Sequence, residues 1–535
     1  MAWEDDPPHL QPSVGYLRVR KVNRMIMDTW FREISVVDVD TLPEEGGIIY
    51  AAWHPGGLVD PMLMMAALPG GITFTAKSTL FKVPVLSKVM KTINVQPIQR
   101  AQDSSASPEM RKQANSNLIV TLGDLVARGE RIVIFPEGLS HSESYAMQLK
   151  TGASRILMEA QRKAVEIGAP RPHIIPIGLH YSDQHSFRER VSLQINRPVE
   201  VPPMPALSEV KDQTVVSLDE EVKASPDRVW CKDVTDLLHV ELNRISHAQE
   251  TWEDRELVWR ARRMIHTIRS GDKVSKPSFH EAVLGSRRVR AAWQYLSKND
   301  TERTDRLEAR FKSHHHEMEK IQLRSWELKN REKKTSFNAF TKNILFWVWS
   351  ASWMLGLVTW SAMIATGIPY LIVRLLVNKK ARNEEHKAGV GSFKLLYSIG
   401  LYPIWWLFTA LTLGWLIAST SSPIQDISLP GMILPMLATI PWMLVSFVLL
   451  LWWPISARLH LKLYGRLCKS WRNLRLWFRL RSGQVQWETL ISSHNILAQE
   501  MASIGDGLVL PGDSDWIDPP SGKDDWEMVK LRSSD

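Results

Sequence analysis

Three apolar stretches in the C-terminal half constrain this chain more than any other feature. Ile344–Val373 is interrupted only by Gly356, Gly367 and Pro369, and two more stretches run from about Leu395 to Ala418 and from about Leu429 to Trp453. Roughly 20 apolar residues in a helix cross the hydrocarbon core of a bilayer, so each stretch is long enough to enter or cross a membrane. No water-soluble domain needs all three. Basic residues then suggest sidedness. The linker Arg374–Lys394 carries Arg374, Lys379, Lys380, Arg382, Lys387 and Lys394, whereas Ser419–Ser428 has no Lys or Arg and one Asp. The positive-inside rule puts the first linker in the cytosol and the second on the other side. The flank before Ile344 is basic too (Arg331, Lys333, Lys334, Lys342), so both ends of the first stretch prefer one side. A re-entrant hairpin bent near the glycines, followed by two spans, satisfies that pattern. Trp347, Trp349, Trp353, Trp405, Trp406, Trp452 and Trp453 suit interfacial anchoring, with some of them packing between helices.

At 535 residues the chain exceeds one compact core. Residues 1–30 read as an N-terminal tail with a helix over Tyr16–Trp30 that either lies on a membrane surface or packs conventionally. Residues 31–205 alternate short apolar strands (GIIYAAW, ITFTA, RIVIF, HIIPIGLHY) with helical patterns, which implies a wound α/β sheet. Residues 206–343 read as a charged helical extension and 344–453 as the membrane region. Residues 454–482 read as a basic amphipathic helix, in which Lys and Arg interleave with Leu, Trp and Phe, and 483–535 as an acidic tail without functional signal. His314–His316 read as a solvated face rather than a metal site. Cys231 and Cys468 match no disulfide or zinc spacing. Met1–Pro12 lacks the pattern of a cleavable signal peptide, so the α/β part is expected on the cytosolic side. Lys and Arg outnumber Asp and Glu, 66 to 57, and their clustering beside apolar spans suits phosphate-bearing ligands or anionic lipid rather than nucleic acid.

Two short runs carry chemistry. His54-Pro-Gly-Gly-Leu-Val-Asp60 follows the strand GIIYAAW. An imidazole at a strand end with a carboxylate one turn into the next helix can build a general base, the carboxylate fixing the tautomer. Alone, such a pair is more often a hydrogen-bonded loop and a helix cap. Phe135-Pro-Glu137-Gly138-Leu-Ser140-His follows RIVIF, at the strand end where open α/β sheets place ligands; by itself it reads equally well as a turn with a solvated Glu. Lys77 and Ser78 follow ITFTA, and NVQPIQR ends in Arg100, whose fork matches phosphate oxygens. Pro176 interrupts an apolar strand, which alone suggests a sheet edge. No G-x-S-x-G elbow and no phosphate-binding G-x-x-x-x-G-K-[ST] run occurs, which disfavours a serine hydrolase or a nucleotide-binding enzyme.

Taken in order across residues 16–205, these runs resemble the PlsC-like glycerolipid acyltransferase family, whose blocks are His-x4-Asp, a basic block ending in Arg, FPEG-x-Ser and a Pro-containing apolar strand. LKTGASRIL at Leu149–Leu157 and IPIGLHY at Ile175–Tyr181 add to the likeness. The resemblance implies an α/β acyltransferase domain, a mixed sheet flanked by helices, followed by a helical extension and C-terminal transmembrane helices. It further implies an acyl-CoA or acyl-carrier-protein donor, His54 as general base and Asp60 as its partner. Arg100, Glu137 and Gly138 would shape a glycerol-phosphate site, with Pro176 near the acyl chain; Lys77 and Ser140 join on charge and position. No metal or resident cofactor is implied, and membrane lipids are the other partners. Five residues, rather than four, separate His54 from Asp60. That spacing resembles the branch containing the yeast-type glycerol-3-phosphate and dihydroxyacetone-phosphate acyltransferases, which also carry a C-terminal membrane region. Lysophosphatidate as acceptor, a phospholipid transacylase and a catalytically retired membrane scaffold are the alternative readings.

Overall fold

The computed structural model describes residues 3, 6, 11–82, 84–99, 107–139, 141, 143–205, 225–270, 276–329, 331–381, 389–418, 440–482 and 486–532. The chain forms two units, one of Met1–Arg269, Ser275–Lys312 and Leu497–Asp535, the other of Ser270–Val274 and Ser313–Ile496.

The first unit is built on a seven-stranded sheet: β1 (Phe31–Val37), β2 (Ile48–Ala52), β3 (Ile72–Lys77), β4 (Gln96–Ile98), β5 (Arg131–Ile134), β6 (His173–Tyr181) and β7 (Glu189–Ile195). Its order is β1-β7-β6-β2-β5-β3-β4, and only the β6–β7 pair is antiparallel, so the sheet is mixed. β2 is buried along its whole length, as a central parallel strand covered on both faces requires. Parallel β2, β5 and β3 bring their carboxyl ends to one edge, the edge at which loops in such sheets gather ligands. Pro176 lies in β6, between β2 and β7 and not at an edge. Its missing N–H is accommodated because pairing with β7 begins one residue later, at Ile177, while its carbonyl accepts from the Asn196 amide at 3.1 Å.

The helices α1 (Val14–Trp30), α2 (Val59–Ala67), α3 (Pro84–Thr92), α4 (Pro108–Ala127), α5 (Gly152–Ile167) and α6 (Pro226–Ile245) accompany the sheet. α1 packs on α2: Asn23 Nδ2 donates to the Met62 carbonyl at 2.6 Å and Arg24 Nε to the Ala66 carbonyl at 2.9 Å, while Arg20 pairs with Asp6. α6 corrects the domain limit placed at residue 205. Trp230, Val234, Leu238 and Leu242, four apart, form one apolar stripe and share a core with Ile49, Trp53, Leu122 and Ile156. The α/β core is therefore completed by what the charge pattern suggested was a separate extension.

Three further helices, α7 (Trp252–Arg269), α8 (Phe279–Asn299) and α9 (Thr301–Lys320), close around Ala261, Met264, Leu307 and Phe311 together with Leu497 and Met501 from the last helix, Trp487–Asp506. The residues after it are acidic, yet they are folded and not a free tail. Asp525 is fully buried, receiving Arg287 Nε and Nη2 at 2.9 and 2.7 Å, and Asp524 receives both Nη atoms of Arg290 at 2.7 Å. The acids found their counter-charges on α8, which a scan for composition cannot see.

Among the described residues, the second unit includes the long helices Phe337–Leu355, Leu357–Ala381, Val390–Ala418 and Trp442–Arg481. Val358–Ala381, Val390–Ala418 and Trp442–Arg481 are long and apolar enough to cross a membrane. The first apolar stretch is split at Gly356, while Gly367 and Pro369 lie inside the following helix. Pro369 removes the N–H that would bond the carbonyl four residues earlier. That carbonyl, Ala365, instead accepts from Trp406 Nε1 at 2.8 Å, and its neighbour Ile364 accepts from Trp405 Nε1 at 2.8 Å. These two indoles therefore tie helices together. Trp442–Arg481 continues through Pro454 as one helix of 40 residues, so the division drawn between 453 and 454 does not exist; a single proline costs one bond and does not end a helix held by its neighbours. Arg382, Lys387, the loop Ser419–Ser428 and the start of the third stretch lie outside the described residues. His314 is not on a solvated face: it is buried, with Nε2 sharing a hydrogen bond of 2.9 Å with His494 Nδ1, and burial pushes the His494 imidazole down to about 4.

Asp525 makes a test of the folded tail. Burial alone would raise its carboxyl; the charge and hydrogen bonds of Arg287, with Arg244 and Arg290 behind it, outweigh that and hold it below its ordinary value. Its stabilisation is thus present above the unfolded carboxylate pKa and lost as pH falls through the lower folded value. Asp525→Ala takes from Arg287 its nearest carboxylate and leaves it only the more distant Asp518; it is expected to cost about 3 kcal/mol, read as a lower thermal midpoint at pH 7, and an unchanged midpoint would contradict the tail's structural role.

Candidate active site

β2 delivers its chain to the carboxyl edge of the sheet with Trp53 still buried and His54 emerging, its side chain 11% exposed. Two features of the next residues return the chain onto that ring. Gly57 takes φ +58°, a left-handed conformation that glycine adopts without a Cβ penalty, and the Val59 and Asp60 amides close a turn on the Gly56 and Gly57 carbonyls at 3.3 and 3.2 Å. α2 starts there, so Asp60 stands in its first turn, where a carboxylate is favoured by the helix dipole. The widened spacing is absorbed in this turn. His54 Nδ1 lies 2.9 Å from Asp60 Oδ2.

Asp60 is fully buried, and a carboxylate in that position is costly unless its lone pairs are engaged. Oδ2 also accepts from the Gly56 amide at 2.8 Å, and Oδ1 accepts from the Tyr181 hydroxyl at the end of β6. Burial, then the Asp60 charge and hydrogen bond, hold the Tyr181 phenol well above its ordinary value of 10.0, so it stays a donor throughout the physiological range. With Nδ1 committed to the carboxylate, Nε2 is the ring nitrogen left to handle a proton. The Phe135 ring stacks on the imidazole, centroids 3.9 Å apart, and restricts its rotation.

Glu137 follows β5, the strand beside β2. Its carboxylate does not point outward: it is 2% exposed, with Oε1 accepting from His141 Nε2 at 2.7 Å and the Met147 amide at 2.9 Å, and Oε2 accepting from the His54 amide at 3.3 Å. Glu137 therefore shapes the site by fastening two loops to each other. Gly138 turns at φ +74°, and a Cβ there would sit 2.7 Å from Lys150 Nζ. Lys77 ends β3, two strands from β2 on the same edge. Gln99 is clamped to α4, its amide donating to Asn115 Oδ1 at 3.2 Å and its carbonyl accepting from Asn115 Nδ2 at 3.0 Å. Arg100, the next residue, and Ser140 lie outside the described residues. Pro176 pairs with Ala51 of β2, within the sheet rather than at its carboxyl edge.

The acyltransferase family pattern matches residues 33–180. A 77-residue segment is 31% identical to glycerol-3-phosphate O-acyltransferase 1 of Saccharomyces cerevisiae, covering 14% of this chain and 10% of that protein. A 123-residue segment is 29% identical to 1-acyl-sn-glycerol-3-phosphate acyltransferase of Bacillus subtilis, covering 23% of this chain and 55% of that one. These likenesses support a PlsC-like glycerolipid acyltransferase family for the sheet domain. A crystal structure of the PlsC acyltransferase of Thermotoga maritima aligns with TM-score 0.26 and 18% identity over 34% of this chain and 68% of its own. The chain thus spans a tenth to about half the length of the curated relatives it matches.

Sequence reasoning about this acyltransferase domain did not single out Tyr181, Phe135 or His141 as parts of the site. Tyr181 is 121 residues from Asp60, and only the β2–β6 register brings the two together. His141 had a local signal, standing four residues after Glu137. Gly56 offers a direct test: a Cβ there would collide with the Asp60 carboxylate and lie 3.2 Å from the Tyr181 hydroxyl. Gly56→Ala is expected to lower domain stability by about 1–3 kcal/mol in thermal denaturation, and a wild-type melt would show that the loop is looser than drawn.

Proposed function

We propose that the chain transfers a fatty acyl group from acyl-CoA, or an acyl-carrier protein, to the hydroxyl of glycerol 3-phosphate or dihydroxyacetone phosphate in phospholipid synthesis. The observation that carries this reading is the linked set His54–Asp60–Tyr181, with its imidazole at the sheet's carboxyl edge. His54 Nε2 takes the acceptor's hydroxyl proton as that oxygen bonds to the thioester carbonyl carbon. Asp60 steadies the imidazolium, and Tyr181 holds the carboxylate's other oxygen. Collapse of the tetrahedral intermediate breaks the C–S bond, and the departing thiolate recovers the proton from His54. The products are an ester and a free thiol. No acyl-enzyme and no resident cofactor enters the scheme, because the donor carries its own leaving group. Lys77 and Arg100 supply charge for the acceptor's phosphate, Gly138 lies in the turn that Glu137 fastens, Ser140 joins the acceptor site on its position in the sequence, and the strand around Pro176 adjoins the acyl chain.

Three observations favour glycerol 3-phosphate or its keto analogue: the five-residue His–Asp spacing, the membrane-length helices after the domain and the likeness to the yeast protein of that name. The Bacillus relative's name supports lysophosphatidate as the alternative acceptor. A multi-pass protein with its catalytic domain on the cytosolic face fits the basic linker Arg374–Lys394 and the basic end of Trp442–Arg481. A retired scaffold would have no need for a buried carboxylate that orients an imidazole.

Purified protein given labelled acyl-CoA with each acceptor in turn is expected to acylate glycerol 3-phosphate or dihydroxyacetone phosphate; product confined to lysophosphatidate would overturn the acceptor assignment. His54→Ala should lower kcat about a thousandfold while membrane association persists. Unchanged turnover would sink the mechanism. Tyr181→Phe, which removes one hydrogen bond to a charged group, should cost about tenfold in kcat/KM.

A further inference from the structure

Apart from the His54 site, the first unit contains a cleft of about 1500 Å³ bounded by α7, α8, α9 and the end of the last helix. That is larger than the roughly 300–1000 Å³ of pockets for compact small molecules. Leu257, Ile265, Val289, Phe311, Met501 and Ile504 make its walls largely apolar. Most charges on its lining are matched: Arg269 by Asp506, Arg288 by Asp513 and Glu308 by Lys312, while Asp254 accepts from Thr251 and Glu281 from Ser278.

Arg262 differs. It lines the cleft, is only 9% exposed, and its Nε has no hydrogen-bond partner among the described residues. Its guanidinium lies over the Trp259 ring, 5.4 Å from the centroid, and the charges that act on it are those of Arg263 and Arg190. Burial first, and then those cations, push it down to about 10, so it remains charged at neutral pH. A buried cation on an apolar wall is costly without an anion.

We infer that this cleft binds a single-chain anionic amphiphile, its hydrocarbon chain along the α7–α8–α9 walls and its phosphate or carboxylate on Arg262. The site also has a mechanical link to the sheet edge. Tyr145, Ala146 and Gln148 line the cleft, and the Met147 amide between them is held by Glu137, which also holds the His54 amide. Ala146 is pinned from the helical side, its amide to Asn243 Oδ1 and its carbonyl to His239 Nε2, both at 2.9 Å. The occupant therefore bears on the loop that frames the His54 site. This inference rests on the cleft's own chemistry and stands whether or not the acyl-transfer reading holds.

The test uses the full chain as the His54→Ala variant, so that a thioester probe is not consumed. Three probes share one diazirine-bearing hexadecanoyl chain: a lysophosphatidate, a CoA thioester and an uncharged monoacylglycerol. After irradiation, adducts are mapped by mass spectrometry. Labelling of peptides within residues 257–265, 289–296 and 501–504 by one or both anionic probes, about tenfold above the uncharged one, supports the inference, and the better anionic probe identifies the headgroup. Arg262→Gln should abolish that preference. Val289→Trp, which fills the cleft and leaves the cation in place, should suppress labelling by all three, so the test survives if Arg262→Gln fails to fold. Adducts confined to the membrane-length helices, equal labelling by the uncharged probe, or labelling that a folded Val289→Trp leaves intact would overturn it.

Discussion

The candidate site depends on satisfying one carboxylate that has no contact with water. Burying Asp60 is tolerable only if its lone pairs find donors, and the donors come from places the chain must be folded to supply: the imidazole at the end of β2, the Gly56 amide in the turn and the phenol at the end of β6. Meeting that requirement constrains much else. β6 must lie beside β2 in register, the Gly57 turn must be left-handed, and α2 must begin where it does. Glu137 repeats the device one strand away, drawing a second loop inward by the same need for donors. The two buried carboxylates thus fasten the loops at this edge, alongside the apolar anchoring that Ala146 and Leu149 give the second loop.

Much of the sheet was legible because central parallel strands write their burial into uninterrupted apolar runs such as IIYAA and RIVI. The strands that were not legible are the ones whose sequence is half polar or very short: FREISVV, QPI and ERVSLQI. Their β state is set by neighbours and not by local preference. The same division runs through the site. His54 and Asp60 are close in sequence and could be paired by spacing alone, whereas Tyr181 reaches Asp60 only through a register that no local pattern encodes. Glu137 was legible as a position and not as an orientation, since a Glu in a turn reads as solvated until the donors around it are known.

Charge was the least reliable guide to the remainder. The extension and the tail look solvated because they are rich in Arg and Asp, yet α6 carries a four-residue apolar stripe into the core, and Asp524 and Asp525 meet Arg290 and Arg287 across more than 230 residues of chain. Opposite charges far apart in sequence are invisible as partners until topology joins them, so a segment's net polarity says little about whether it is packed. Arg262 is a counterexample within the same unit, a buried cation that meets no carboxylate among the described residues.

The bond from Trp406 to the Ala365 carbonyl, which Pro369 leaves without its helical donor, has a bearing on how these apolar helices associate. The carbonyl of Ala365, deprived of its helical N–H, is met by an indole on a helix that is synthesised later. In hydrocarbon an unmet carbonyl costs several kcal/mol, so Leu357–Ala381 is less at ease in lipid alone than beside Val390–Ala418. That bond also sets the register of Leu357–Ala381 against Val390–Ala418, since a slip along the axis would separate the indole from its acceptor.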